Sequence, residues 1–179
     1  MNVLDVGRRT DVERLPFADG SFDAVVCRQR LQLLPDRTLA LSEMRRVLAD
    51  GGRAVLSVGG RIERSAAFAA LADALERHAG PRLAASVHRL FSLPEPEDLR
   101  ASLAYAGFTD ILVDLGRETA SLPSAAHLLR FVPRSQGHDG LTERAERAVV
   151  ADLDRELAPW IGPQGLRLTM DVNTAIATR

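Results

Sequence analysis

Apolar positions along this chain recur at two spacings, and the two alternate. Residues 2–6 switch weakly between apolar and polar and predict a short strand. Phe22 to Cys27 is a near-continuous apolar run, the pattern of a strand buried on both faces. Between them, Ala18-Asp19-Gly20-Ser21 is a turn. Pro35-Asp36 then opens a helix with Asp36 as its N-cap, and Leu41, Met44, Val47 and Leu48 share one face of it. Gly51-Gly52 ends that helix, and residues 53–58 predict the next strand, closed by Gly59-Gly60. A strand, a helix and a strand in this order imply a parallel pair with a right-handed crossover.

Further along, a helix is predicted from about Glu63 to His78, with Phe68, Leu71 and Leu75 inward and Gly80-Pro81 as its stop. Ser92-Leu93-Pro94 precedes another, with Leu99 and Leu103 in the core and Gly107 at its end. Phe108 to Leu115 reads as a strand, Ser124 to Val132 as a short helix, and 133–140 as a polar loop. Thr142 to Trp160 predicts a long amphipathic helix carrying Val149, Leu153 and Leu157 on one side. Leu166 to Thr178 predicts a terminal strand. The class is therefore α/β with a mostly parallel sheet. Residues 1–179 read as one domain, with 119–165 as a helical cap inserted before the last strand.

Composition narrows the picture slightly. An apolar fraction of 46% is enough for a real core. A formal net charge of −1 gives no reason to expect nucleic acid as a partner. Every basic residue apart from histidine is Arg, which reads as the mark of a GC-rich genome. Cys27 is the sole cysteine and sits in an apolar run, so it reads as a buried, inert thiol. No secretory signal and no apolar stretch of about 20 residues is present, so a cytoplasmic protein that does not enter the membrane is expected. The histidines show no metal-ligand spacing, and no metal site is expected.

Three blocks carry a family resemblance: Asp11 through Asp23 (DVERLPFADGSFD), Ala40 through Leu48 followed by Gly51-Gly52-Arg53, and Glu97-Asp98-Leu99-Arg100 through Ala106-Gly107-Phe108. Together they resemble class I S-adenosylmethionine (SAM)-dependent methyltransferases of small molecules, the ubiquinone and menaquinone methyltransferase-like group (type 11). The fold this implies is a truncated Rossmann-like sheet with helices on both faces and the helical cap before the last strand. By the same resemblance Asp11 corresponds to the carboxylate at the adenine amino group, and Val12 to the backbone N–H that meets the ring. Cys27, Arg28 and Gln29 fall at the end of the fourth strand, where cofactor and substrate meet. Bland readings stand beside these: Asp11 as a turn cap, Arg28 and Arg30 as solvated loop charges.

The family's glycine-rich loop, and the second strand whose terminal acid holds the ribose, have no counterpart here. The chain thus resembles a member that is N-terminally truncated. Residues 2–7 are read as a remnant of the third strand, because Asp11 follows at the usual distance. Their likeness to the start of the glycine-rich motif is the alternative. The strand at Phe22–Cys27 then lacks its neighbour, so either residues 2–7 move in beside it or a second chain does, and a homodimer is expected.

Candidate chemistry follows from these placements. His127 on the short cap helix is the candidate acid or base, with a surface or packing role as the plain alternative. Arg28 and Gln29 join it as candidate catalytic residues. Arg61, just after the fifth strand, and Arg130 and Phe131 on the cap are candidates for substrate contact. The leading expectation is a protein that has lost SAM-dependent methyl transfer and acts on a small, largely apolar metabolite. It would be a non-methylating cyclase or isomerase of secondary metabolism with no bound cofactor. One alternative is a working SAM-dependent methyltransferase that completes its site by dimerisation. The other is a non-catalytic accessory or binding protein.

Overall fold

The computed structural model describes residues 1–6, 11–131 and 141–179; the loop predicted at 133–140 lies outside the described residues. In chain order the strands are β1 (Val3–Asp5), β2 (Phe22–Arg28), β3 (Leu48–Gly59), β4 (Thr109–Leu122), β5 (Ile161–Gly162) and β6 (Gly165–Thr178). The helices are α1 (Arg37–Val47), α2 (Ala66–Ala79), α3 (Pro81–His88), α4 (Pro96–Tyr105) and α5 (Glu143–Glu156). The sheet order is β1-β2-β3-β6-β4, with β5 paired to β6. β1, β2 and β3 run parallel, whereas β6 lies antiparallel to β3.

The position of β1 answers which segment stands beside the Phe22–Cys27 strand: one within residues 2–7 does. Val3, Leu4 and Asp5 pair directly with Ala24, Val25 and Val26. In a doubly wound sheet the place beside the fourth strand belongs to the first. β1 therefore occupies the first strand's place, and β2 is not an edge.

Two compact units divide the chain. The first comprises Met1–Gly60, Ser92–Gly116 and Val172–Arg179; the second comprises Arg61–Phe91 and Arg117–Asp171. The second unit thus takes in residues 61–91 along with the whole of the 119–165 segment.

In the first unit, side chains of one parity form the core. Leu4, Val25, Ala54 and Ala177 make one cross-strand row, and Cys27, Leu56 and Ala175 the next. Leu41, Met44 and Val47 of α1 and Leu99 and Leu103 of α4 pack in the same cluster. Each such side chain, fully buried, contributes roughly 1.5–3 kcal/mol. The opposite parity is open, with Val3 48% and Ile176 43% exposed. Only Val25 and Cys27 of β2 are buried, so its apolar run does not mark burial on both faces, because α1 and α4 cover one side.

Local chemistry fixes the connections. Asp36 Oδ1 accepts from the Leu39 amide at 2.9 Å, the cap that starts α1. After α1, the β2–β3 register jumps from Phe22↔Leu48 to Ala24↔Arg53. The intervening residues must turn tightly: a Cβ on Gly52 would lie 2.8 Å from the Ala49 carbonyl oxygen. α1 also clamps the segment before β2. Glu43 holds Arg46 on both carboxylate oxygens, at 2.7 and 2.8 Å, and accepts from the Leu15 amide at 2.9 Å. Arg46 in turn donates to the carbonyls of Leu15 and Phe17 and to Asp19.

The second unit has its own core, built on Leu71 and Leu75 of α2, Val87 of α3, and Val149 and Leu153 of α5. The Phe68 ring meets Phe91 and Phe131 edge-on, each at 5.2 Å. Asp152 closes one side of this unit. It accepts from His78 Nε2 at 2.8 Å and from Arg155, and it lies 3.0 Å from Arg77. The His78 and Arg155 hydrogen bonds hold its carboxyl below the ordinary range.

Several predicted boundaries shift. The helix expected from residue 63 starts at Ala66, after a 3-10 turn at Ile62–Arg64. The long cap helix stops at Glu156, and a 3-10 turn covers Ala158–Trp160. The segment at 124–132 is a 3-10 helix, Ala125–Phe131. β4 runs on to Leu122 because its polar residues, such as Thr119, still pair across to β6.

Candidate functional site at the carboxyl end of β2

The sequence that follows β2 is unusually polar for a chain leaving a buried strand: Arg28-Gln29-Arg30-Leu31-Gln32. Gln29 turns this loop with a φ of +50°, a left-handed conformation that costs a non-glycine residue about 1–2 kcal/mol. Its amide donates to the Ser57 carbonyl at 2.8 Å, which ties the loop to the end of β3. Leu31–Leu33 then winds as a 3-10 turn with Leu31 fully buried. Arg37 donates to the Gln32 carbonyl and to Ser92 Oγ, so the backbone of Gln32 is fixed.

Against this rigid frame three buried polar atoms find no partner among the described residues: Gln29 Nε2, Arg30 Nε and Gln32 Oε1. Gln32 Nε2 donates to Gln29 Oε1 at 3.2 Å, which leaves one amide donor and one amide acceptor unused. Reversing both amides leaves the same pair of functions. Leaving such groups unmade costs about 1–3 kcal/mol each. Strain and unmet polar groups at the carboxyl end of a parallel strand are the marks of a ligand site.

The residues singled out from the sequence fall as follows. Cys27 is fully buried, and burial pushes its thiol up to about 11, so it stays protonated at neutral pH. Arg28 is exposed and Gln29 half-buried beside it. Asp11 is exposed, whereas the Val12 side chain is buried in the first unit's core. Arg61 follows β3 and caps the Ile62–Arg64 turn. His127, Arg130 and Phe131 share the 3-10 helix at Ala125–Phe131; His127 Nδ1 lies 2.9 Å from Ser124 Oγ, and the Phe131 ring packs on Phe68. Arg30, for which the sequence suggests only a solvated loop charge, and Gln32 join the site, and the density of polar residues after β2 is the signal that marks them. Among the described residues no cluster of three metal-ligating side chains occurs, and no helix is long and apolar enough to cross a membrane.

By the resemblance, a SAM site would use a carboxylate at the end of a second strand to hold the ribose. Residues 11–21, which lead from β1 toward β2, form no strand or helix. Asp11 is available at the surface as the adenine-side carboxylate, but the described residues supply no ribose-side acid.

An open sheet with β1, β2 and β3 parallel and the antiparallel β6 inserted between β3 and β4, flanked by helices and with a polar loop at a strand's carboxyl end, is the Rossmann-like class I methyltransferase fold. Residues 3–56 match the family described as "Methyltransferase domain". A malonyl-[acyl-carrier protein] O-methyltransferase of Geobacter sulfurreducens is 36% identical over 127 residues, 69% of this chain and 45% of that protein. A demethylmenaquinone methyltransferase of Deinococcus radiodurans is 36% identical over 109 residues, 55% of this chain and 45% of that protein. The YcgJ protein of Bacillus subtilis superposes with a TM-score of 0.54 at 15% identity, covering 94% of this chain and 68% of that one. A Bacillus halodurans protein named as a candidate methyltransferase gives 0.53 at 17% identity, covering 94% and 74%. Residues 3–56 thus match a methyltransferase domain, and the chain spans less than half the length of these two curated relatives.

Proposed function

We propose that this chain binds a small organic ligand on a methyltransferase scaffold and does not by itself carry out SAM-dependent methyl transfer. One observation carries the reading: β1 pairs directly with β2, and the described residues between them, 11–21, build no second strand to present an acid to the ribose. The unmet groups of Gln29, Arg30 and Gln32 support ligand binding at the same strand end. The reaction class that fits is intramolecular. A cyclisation or isomerisation needs no co-substrate, and it gains directly from holding a flexible, largely apolar metabolite in a reactive shape. Gln29, Gln32 and Arg30 would orient its polar atoms, and secondary metabolism is the setting in which such substrates arise.

The second reading is a methyltransferase whose site is completed by another chain. The relatives favour it, since those named above are methyltransferases. Calorimetric titration of the full chain with SAM separates the two. No measurable heat of binding is expected. Micromolar one-site binding would overturn the first reading in favour of the second.

A further inference from the structure

The second unit contains a cavity of about 540 Å³, within the usual range for small-molecule sites. Every residue that lines it belongs to that unit. Part of its wall is apolar, from Ala66, Ala67, Leu157 and Trp160. The other part is lined by Arg64, Arg117 and Arg167, together with Glu63 and Thr169.

Strand alternation explains the polar wall. Arg167, Thr169 and Asp171 recur every second residue along β6 and so share one face of it. Arg117 and Thr119 stand across on β4, with Arg117 Nε 3.2 Å from Asp171 Oδ1 and Thr119 Oγ1 3.3 Å from Thr169 Oγ1. Arg64 Nε reaches the other oxygen of Asp171 at 3.3 Å. The Asp171 side chain is only 9% exposed and holds both arginines by their Nε atoms. Their terminal nitrogens carry no hydrogen bond among the described residues, and neither does Arg167. Three cations thus face two carboxylates, Glu63 and Asp171, and one positive charge is left over.

We propose that this cavity binds a small organic monoanion: a carboxylate on a hydrophobic body. The carboxylate takes the free guanidinium nitrogens of Arg64, Arg117 and Arg167, whose planar forks suit a two-oxygen acceptor. The body lies against Trp160 and the alanine and leucine wall. The assignment rests on the second unit alone and stands whether or not SAM binds.

Trp160 is the only tryptophan of the chain and lines the cavity, so its fluorescence reports occupancy directly. The test titrates the full chain with 4-phenylbutyrate and, in parallel, with 4-phenylbutyramide, which has the same body and no charge. A saturable change with the acid is expected, with binding about tenfold or more weaker for the amide, the effect of losing one charge-assisted hydrogen bond. Arg167→Gln is expected to weaken acid binding by about the same factor. Since Arg167 holds no other group, the variant keeps its fold, and circular dichroism checks this. The proposal is overturned by the absence of a saturable response to the acid at millimolar concentration, by equal affinity for acid and amide, or by a folded Arg167→Gln variant that binds as the parent does.

Discussion

Gln29 spends backbone energy to hold a half-buried amide at the end of β2. Glycine would adopt its φ of +50° without that cost, while alanine would keep the strain and lose the side-chain hydrogen bond. The usual order of these two substitutions should therefore invert. Gln29→Gly is expected to be more stable than Gln29→Ala by about 1 kcal/mol, measured by urea denaturation. If Gln29→Ala proves the more stable, the strain is not there. Glu43 illustrates a different residue-scale role. The Arg46 hydrogen bond, with help from the Leu15 amide, holds its carboxyl below the ordinary range. A carboxyl lowered in the folded state contributes stability in full above its unfolded value, about 4.3, and loses it as pH falls through the lowered value. Thermal midpoints taken between pH 6 and pH 3 should therefore fall more steeply for the parent than for Glu43→Gln, which is already less stable at pH 6. Parallel profiles would remove Glu43 from the acid response. The Asp36 cap was legible in the sequence, because a cap is local. The Glu43–Arg46 clamp was not, since its partners lie about 30 residues away and meet it only once the segment before β2 has folded back on α1.

Elements were readable where their pattern is local and hidden where pairing decides. The apolar run of β2 and the 3.6-residue stripe of α1 placed those elements closely. The seat of β1 could not be read, because Val3–Asp5 would satisfy any parallel neighbour and only three-dimensional pairing chooses β2. The polar end of β4 hid its continuation for the same reason. β5 and β6 form a hairpin in which Gly162 pairs with Gly165 around Pro163-Gln164. Gly165 has a φ of +91°, and a Cβ there would collide with the Leu122 carbonyl oxygen. Backbone on both sides leaves the clash no cheap escape. Gly165→Ala should cost about 3 kcal/mol or more, from the left-handed conformation plus overpacking. Gly162 meets nothing within 4 Å of its built Cβ, so Gly162→Ala should stay within about 0.5 kcal/mol of the parent. Chemical denaturation of the two variants checks the contrast, and similar losses in both would contradict it.

At the scale of the whole molecule, two apolar cores share one chain, and their residues do not overlap. The sequence did not reveal this division. The apolar stripe of α2 resembles that of α1, and nothing local says that one serves the sheet and the other joins α3 and α5. The division matters because local opening follows cooperative units of packing rather than position in sequence. Leu103 of α4 is fully buried in the first core, and Leu75 of α2 in the second. Truncating either to alanine should cost about 2–5 kcal/mol where it packs. Amide exchange is expected to quicken about tenfold for each 1.4 kcal/mol lost from the opening free energy. Leu75→Ala should therefore release protection in α2, α3 and α5 and leave α1 and α4 near the parent. Leu103→Ala should release α1 and α4 and spare α5. Hydrogen exchange read by mass spectrometry resolves the two patterns. If either variant deprotects both sets of helices equally, the molecule opens as one cooperative unit, and the two cores do not act separately.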